Sequence, residues 1–220
     1  MPGVISCREL FECEGSLAQP LLNEVVFPWE AVAKIGEFTV GLVKLLLEQN
    51  GWKELCSGVA VAESAVISPM ASIAPPCIIG EGAEIRPGAY IRGKVIVERG
   101  CVVGNSTELK NSVLMEGAKL PHYNYAGDSL IGKRAHMGAG AIASNYKLDG
   151  SMIRVGGIET GLKKFGAALG DGAEIGCNCV LNPGTVIGKC TSVYPGTVFR
   201  GVAPSLQIIK ANGEMIAKTK

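Results

Sequence analysis

The sequence predicts an all-β fold, a parallel β-helix preceded by a helical segment, and two observations point to it. Apolar residues recur every six positions in two long blocks, a period that fits neither a lone amphipathic helix nor strand alternation. Repeats of this length are typical of a parallel β-helix, in which each hexapeptide forms one face of a coil. The 30 glycines among 220 residues suit a chain that turns at every corner. The apolar positions of the repeat are Val61, Ile67, Ile73, Ile79, Ile85, Ile91, Val97, Val103, Leu109 and Met115, then Leu169, Ile175, Leu181, Ile187, Val193 and Phe199.

Residues 1–55 are predicted to form the helical segment. A short helix is expected over Leu17–Glu24, and a longer one over Trp29–Gln49 with a broad apolar stripe. Pro28 suits the first turn of that longer helix. So wide an apolar face must be buried, and we expect it against the end of the β-helix or a neighbouring subunit.

Residues 56–205 are predicted to form the β-helix, with about six coils of three hexads each. Two segments interrupt the repeat. Pro121–Ser129 is expected to slip the register, and Lys147–Gly166 has no periodicity and is expected to loop out. Loops that project from a rigid scaffold commonly carry functional residues. Residues 206–220 are predicted to be a C-terminal hairpin or tail around Asn212-Gly213.

Composition excludes several classes of function. The net charge of +1 disfavours a nucleic-acid partner. No apolar stretch at the N-terminus resembles a signal peptide, and the tract Val40–Leu47 is too short to span a membrane. The 8 cysteines lack zinc-ribbon spacing, and we expect most of them to be reduced, buried thiols, which predicts a cytoplasmic protein.

The two histidines, His122 and His136, lie at or beside the first interruption. Histidine exchanges a proton near neutral pH, so one placed in a cleft is a natural general base. The alternative for each is a hydrogen-bonded surface residue. A zinc site of the three-histidine type would need a third ligand, and neither a cysteine nor a carboxylate is suitably placed, so no metal is expected.

Three stretches in and around this interruption resemble a known family. They are Asn105-Ser-Thr-Glu-Leu-Lys110, His122-Tyr-Asn-Tyr125-Ala-Gly-Asp128, and Gly138-Ala-Gly with Asn145-Tyr146. They are similar to the acetyltransferase domain of bifunctional N-acetylglucosamine-1-phosphate uridyltransferases, and to archaeal and bacterial sugar-phosphate nucleotidyltransferase/acetyltransferase proteins. The resemblance covers roughly residues 60–205 and implies a left-handed β-helix, a cytoplasmic homotrimer, and N-acetylation of an amino-sugar phosphate such as glucosamine 1-phosphate by acetyl-CoA.

The resemblance also implies roles for individual residues. His122 would be the general base. The implied sugar-phosphate ligands are Arg86, Lys110, Tyr125, His136, Asn145 and Lys164, with Lys163 as the rival of Lys164. The implied acetyl-CoA contacts are Ala139, Asn145, Tyr146, Cys177 and Pro195. Arg86 and Lys110 could equally be solvated corner residues, and Cys177 and Pro195 plain corner residues.

The chain departs from that family in three places. His136 stands where the bacterial enzyme has an asparagine, the excursion Lys147–Gly166 is longer, and the basic C-terminal tail has no counterpart. No glycine-rich nucleotide loop occurs in residues 1–60, so no nucleotidyltransferase activity is expected. Two other functions remain open: a non-catalytic sugar-nucleotide-binding β-helix subunit, and a metalloenzyme similar to γ-carbonic anhydrase.

Overall fold

A computed structural model describes residue 3 and residues 5–219 of the chain. Within these residues the chain winds as a left-handed parallel β-helix of seven complete coils and part of an eighth. This is one coil more than the repeat predicts. Each coil has three faces, which we name A, B and C in the order in which the chain visits them.

The strands of each face pair in parallel from coil to coil. Face A contains Val59–Ala62, Cys77–Ile79, Val95–Val97, Ala167–Leu169, Thr185–Ile187 and Val202–Ala203. Face B contains Val66–Ile67, Glu84–Ile85, Val102–Asn105, Lys119–His122, His136–Met137, Glu174–Ile175, Ser192–Val193 and Gln207–Ile209. Face C contains Ser72–Ile73, Tyr90–Ile91, Ile142–Ala143, Val180–Leu181 and Val198–Phe199. Two longer strands, Glu108–Leu114 and Tyr125–Ile131, run from face C round a corner into face A.

Antiparallel strands close the two ends of the stack. Trp52–Cys56 pairs with Val59–Ala62 at the first coil. Met215–Ala217 pairs with Gln207–Ile209 at the last coil, forming a C-terminal hairpin. These additions cover sheet edges that would otherwise present unpaired backbone groups.

The six-residue phase shifts where face C meets face A. Leu109 and Leu114 both fill the coil interior although they are five positions apart, and Met115 packs in the outer layer instead. The backbones of Asn111 and Asp128 make the tightened corners with φ of 48° and 51°. The slip expected within Pro121–Ser129 therefore occurs at Asp128, and Lys119–His122 itself continues face B in register with Val102–Asn105.

Three helices precede the coils in the described residues: α1 (Cys7–Leu10), α2 (Gln19–Asn23) and α3 (Pro28–Leu47). Pro28 occupies the first turn of α3, as expected. α3 lies along face A of its own chain, so the expectation that it covers the end of the stack or a neighbouring subunit is wrong. Its buried residues Trp29, Val32, Ile35, Val43 and Leu46 share a core with the outward residues Ala60, Ile78, Ile96 and Val113. Each fully buried side chain of this size contributes about 1.5–3 kcal/mol.

Two buried carboxylates fasten the segment between α1 and α2 to the coils. Glu98 accepts hydrogen bonds from Ser16 Oγ at 2.5 Å and from the backbone N–H of Ala18 at 3.1 Å. Asp171 accepts from the backbone N–H of Glu12 at 2.7 Å and of Lys133 at 2.8 Å. Burial raises the pKa of Glu98 above its ordinary value. The helical layer is thus joined to the β-helix by polar contacts as well as by the apolar core.

The excursion after face C of the fifth coil folds back over face A. It carries a small hairpin, Arg154–Val155 paired with Ile158–Glu159. Phe165 is fully buried at its end and meets Trp29 of α3 edge to face, with ring centroids 6.4 Å apart. The excursion and α3 therefore cover neighbouring parts of the same face.

The cysteines divide between the interior and the corners. Cys77 and Cys101 fill the coil interior as expected, and burial raises the pKa of the Cys101 thiol to about 12. Cys56, Cys177 and Cys190 are exposed, so the prediction of buried thiols is wrong for these three. No helix in the described part of the chain has the length and apolar character that a membrane crossing requires.

Candidate active site

His122 lies exposed at the corner between faces B and C. It ends the strand Lys119–His122, and its backbone N–H donates to Asn124 Oδ1 at 3.1 Å. Of the chain's two imidazoles, only that of His136 is hydrogen-bonded within the described residues. The ring nitrogens of His122 are therefore free to meet a ligand.

Asn124 fixes the turn that carries His122. Its side chain is buried, and its Nδ2 donates to the carbonyls of Gly138 at 2.7 Å and Ala141 at 3.3 Å on the next coil. The same amide accepts from the backbone of His122 through its oxygen. Buried amides that satisfy backbone groups in this way hold a corner in one conformation. The sequence suggests sugar recognition for the amide of Asn124, whereas the structure buries it as a support of the turn.

The strand register stacks three predicted cofactor contacts above His122. Lys119 pairs with His136, so His122 aligns with Ala139 on the next coil. The following coils place Cys177 above Ala139 and Pro195 above Cys177. We call these residues, His122, Ala139, Cys177 and Pro195, the histidine corner. Their small or compact side chains leave a continuous edge beside the imidazole.

A second cluster surrounds Asp128, at the corner between faces C and A. The carboxylate is 6% exposed and forms an ion pair with Lys110, Nζ to Oδ2, at 3.1 Å. It also accepts from Asn111 Nδ2 at 2.9 Å and from Asn145 Nδ2 at 2.5 Å. We call Lys110, Asn111, Gly127, Asp128 and Asn145 the aspartate corner. The structure thus brings Lys110 and Asn145 together through a carboxylate to which sequence reasoning assigned no role.

Tyr125 lies on face C beside the aspartate corner. Burial, and then the nearby carboxylates of Asp128 and Glu108, raise the pKa of Tyr125 above its ordinary value. The phenol therefore keeps its proton at neutral pH and can donate a hydrogen bond. A Cβ at Gly127 would collide with the Tyr125 hydroxyl and with Asn145 Nδ2. Only glycine leaves both polar groups this close to the backbone.

The structure does not bring Arg86 to the aspartate corner. Arg86 follows a face B strand, where its guanidinium forms a bidentate pair with Glu84 at 3.0 Å for each contact. Arg92 occupies the position one coil before Lys110, because Ile91 pairs with Leu109. Its guanidinium contacts Glu108 at 2.8 Å and is 43% exposed. The repeat count alone could have identified Arg92, since it precedes Lys110 by one full coil.

His136 lies apart from both corners. It is on face B, where its Nδ1 is 3.0 Å from Glu174 Oε2. Its register partner in the preceding coil is Lys119. The structure therefore does not place His136 beside Lys110, Tyr125 or Asn145.

The ends of the excursion meet beside the aspartate corner. Tyr146 forms an isolated bridge with Lys164, and the backbone N–H of Phe165 donates to the carbonyl of Asn145 at 3.1 Å. Tyr146 is 47% exposed. Lys164, together with Lys163, lines a cleft between this corner and α3. Lys164 therefore lies near Asp128, on the side of the corner that faces α3.

Face C separates the histidine corner from the aspartate corner. The strand between them spans about 10 Å, at about 3.3 Å per residue. One chain therefore presents the predicted base and the predicted phosphate ligands as two separate groups. No group of three metal-ligating side chains lies together in the part of the chain that the structure describes.

Comparison with known proteins finds relatives over most of the coils. The family model described as the GMPPB C-terminal domain matches residues 73–157. A bifunctional sugar-1-phosphate nucleotidylyltransferase/acetyltransferase of Sulfurisphaera tokodaii is 38% identical over 116 residues, which are 51% of this chain and 29% of that protein. The bifunctional protein GlmU of Nitratidesulfovibrio vulgaris is 35% identical over 158 residues, covering 70% of this chain and 30% of that protein. GlmU of Methanococcus vannielii is 31% identical over 173 residues, covering 76% and 41%.

The chain spans between 29% and 41% of the length of these three relatives. The matched share of this chain reaches 76%. The GMPPB C-terminal domain model spans the second to fifth coils, which carry His122 and the aspartate corner, and it ends before Cys177 and Pro195. Over the matched residues the chain is therefore similar to bifunctional nucleotidylyltransferase/acetyltransferase proteins and to GlmU.

Proposed function

We propose that this protein is an acetyl-CoA-dependent N-acetyltransferase that acts on an amino-sugar phosphate resembling glucosamine 1-phosphate. The observation that carries the proposal is the histidine corner, where a solvent-exposed imidazole stands at one end of a stacked edge of small residues. The names of the relatives support the reaction class, since one of them is a nucleotidylyltransferase/acetyltransferase of sugar 1-phosphates.

In the proposed reaction the lone pair of the acceptor's neutral amino group attacks the thioester carbonyl carbon of acetyl-CoA. His122 takes the proton that the nitrogen loses as the new C–N bond forms. The C–S bond breaks as the tetrahedral intermediate collapses, and the sulfur leaves as the thiolate of coenzyme A. Protonated His122 returns a proton to that sulfur, so the base is regenerated. Free ring nitrogens on an exposed His122 suit both transfers.

The acceptor's phosphate would be held at the aspartate corner. Lys110 and Arg92 occupy equivalent positions on consecutive coils, and each also contacts a carboxylate. Arginine and lysine are the usual partners of phosphate oxygens. Tyr125 and Asn145 would supply donors to the sugar hydroxyls. The proposal therefore replaces Arg86, which is paired on face B, with Arg92.

The two corners would be joined by a second copy of the chain. Because face C separates them, we propose a homotrimer in which the histidine corner of one subunit meets the aspartate corner of the next. A ring of such head-to-tail contacts closes with threefold symmetry. Acetyl-CoA would then lie along Ala139, Cys177 and Pro195 of one subunit, near Asn145 and Tyr146 of its neighbour.

The reaction is tested by following release of free thiol from acetyl-CoA with glucosamine 1-phosphate as acceptor. His122→Ala should lower kcat by about 100-fold or more, the usual contribution of a general base. His136→Ala is the matched control, and its activity should remain close to wild type because His136 lies on face B. Equal activity of wild type and His122→Ala would refute the role of His122. Binding of acetyl-CoA without thiol release for any amino-sugar phosphate would instead identify a non-catalytic subunit.

The assembly is tested by subunit complementation. Neither His122→Ala nor Lys110→Ala homotrimers should be active. Mixed trimers formed by refolding the two variants together should recover part of the wild-type rate, because some interfaces then combine an intact histidine corner with an intact aspartate corner. Absence of recovery in a mixture that sedimentation shows to be trimeric would contradict a shared site.

A further inference from the structure

The cleft lined by Lys163 and Lys164 lies between α3 and the aspartate corner. It has a volume of about 600 Å³ and is lined on one side by Gly36 and Glu37 of α3. Pockets for small ligands commonly have volumes of about 300–1,000 Å³. The cleft is therefore large enough for a small ligand.

The opposite wall is a column of three residues on consecutive coils, Lys94, Asn111 and Asp128. All three adopt a left-handed backbone, with φ of 56°, 48° and 51°. Asparagine and aspartate tolerate this conformation, whereas lysine is uncommon in it. The backbone of this corner therefore turns three side chains in succession toward the cleft.

α3 is shaped to receive Lys94. A Cβ added at Gly36 would lie 3.0 Å from Lys94 Cδ, so glycine leaves room for the lysine stem. Val32 lies one turn before Gly36 on α3, and its carbonyl accepts a hydrogen bond from Asn111 Nδ2 at 3.2 Å. The apolar stem of Lys94 is packed against the helix while the residue as a whole stays exposed.

The charge of the cleft is unbalanced. Lys94, Lys163 and Lys164 all line it, and none forms an ion pair with any residue in the described part of the chain. Glu37 is one acidic neighbour in the lining. The other, Asp128, already binds Lys110. Three ammonium groups thus face one uncompensated carboxylate.

We propose that this cleft is a second anion site that binds a small phosphate-bearing ligand, either a phosphate monoester or a diphosphate, separately from the acceptor site. Ammonium groups on long stems bind phosphate oxygens as point charges and adjust to its position. Asn111 and Asp128 form the wall between this site and Lys110. The site does not depend on the proposed acetyl transfer.

The test is isothermal titration calorimetry of the full chain with inorganic pyrophosphate. Wild type should bind it, with an affinity that falls as salt rises. Lys94→Ala and Lys163→Ala should each weaken binding by about tenfold, the loss of one charge-assisted contact. Glu37→Gln should tighten binding, because it removes the opposing charge. Lys53→Ala, which removes an exposed lysine from the first strand, should change nothing.

A second variant separates this site from the acceptor site. Arg92→Ala removes a proposed phosphate ligand that does not line the cleft, and it should leave pyrophosphate binding intact. Loss of binding in Arg92→Ala, with no change in Lys94→Ala and Lys163→Ala, would assign the anion to the acceptor site and overturn the proposal. Equal weakening by Lys53→Ala, or no binding by wild type at low salt, would overturn it as well.

Discussion

Replacing Asp128 by asparagine tests the aspartate corner with little change of shape. Asparagine has nearly the same size and tolerates the left-handed backbone of this position, φ 51°. The substitution removes the charge opposite Lys110. It also turns an Nδ2 donor toward other donors, since Lys110, Asn111 and Asn145 all donate to the present carboxylate.

The expected loss follows from burial. Hydrogen bonds to charged groups contribute about 1.5–3 kcal/mol each, and unsatisfied buried donors carry a similar penalty. The Asp128 side chain is 6% exposed and that of Lys110 is 26% exposed, so water can replace only part of the lost contact. We therefore expect Asp128→Asn to lower the free energy of unfolding by about 3 kcal/mol. For a chain of this length that corresponds to a fall in Tm of about 6–12 °C.

Thermal unfolding followed by circular dichroism measures this change. Asp149→Asn is the matched control, because Asp149 is exposed in the excursion and its contacts are local. Its Tm should equal that of wild type. The interpretation of Asp128 as the centre of the corner is refuted if both variants melt within about 2 °C of wild type.

Three further changes test other parts of the structure. Gly104→Ala should prevent correct coil stacking, because its Cβ would overlap the backbone of the next coil. A Cβ at Gly41 on α3 has no neighbour within 4 Å, so Gly41→Ala should raise the free energy of unfolding by about 0.5–1 kcal/mol. Urea unfolding measures both changes. Burial raises the pKa of Glu98 in the folded protein, so its contribution to the free energy of unfolding is complete below the pKa of the unfolded state and is lost as the pH rises through the folded pKa. Over that interval the free energy of unfolding of wild type should fall relative to that of Glu98→Gln. A constant difference between the two proteins from pH 4 to pH 7 would contradict this. In the thiol-release assay Arg92→Ala should raise the KM for glucosamine 1-phosphate about tenfold while Arg86→Ala leaves it unchanged, and the reverse order would restore Arg86 to the site.

The sequence by itself determined the β-helix, because each hexad fixes its own strand, its inward apolar residue and its corner. The same local signals predicted α3 over Trp29–Gln49, close to the observed Pro28–Leu47. The motif around His122 predicted one corner as a place for chemistry. These features depend on neighbours within a few residues of each other along the chain.

Only the tertiary structure decided which side chains share a corner, because the alignment of one coil with the next depends on how many residues each coil contains. The tightened turns at Asn111 and Asp128 each remove one residue from their coil, and the turn at Asn111 moves Met115 out of the interior. The shortened coil that contains Asp128 then aligns His122 with Ala139. The packing of α3 on face A, the split of the predicted site between two corners, and the lysine-lined cleft likewise arise from contacts between residues far apart in the chain.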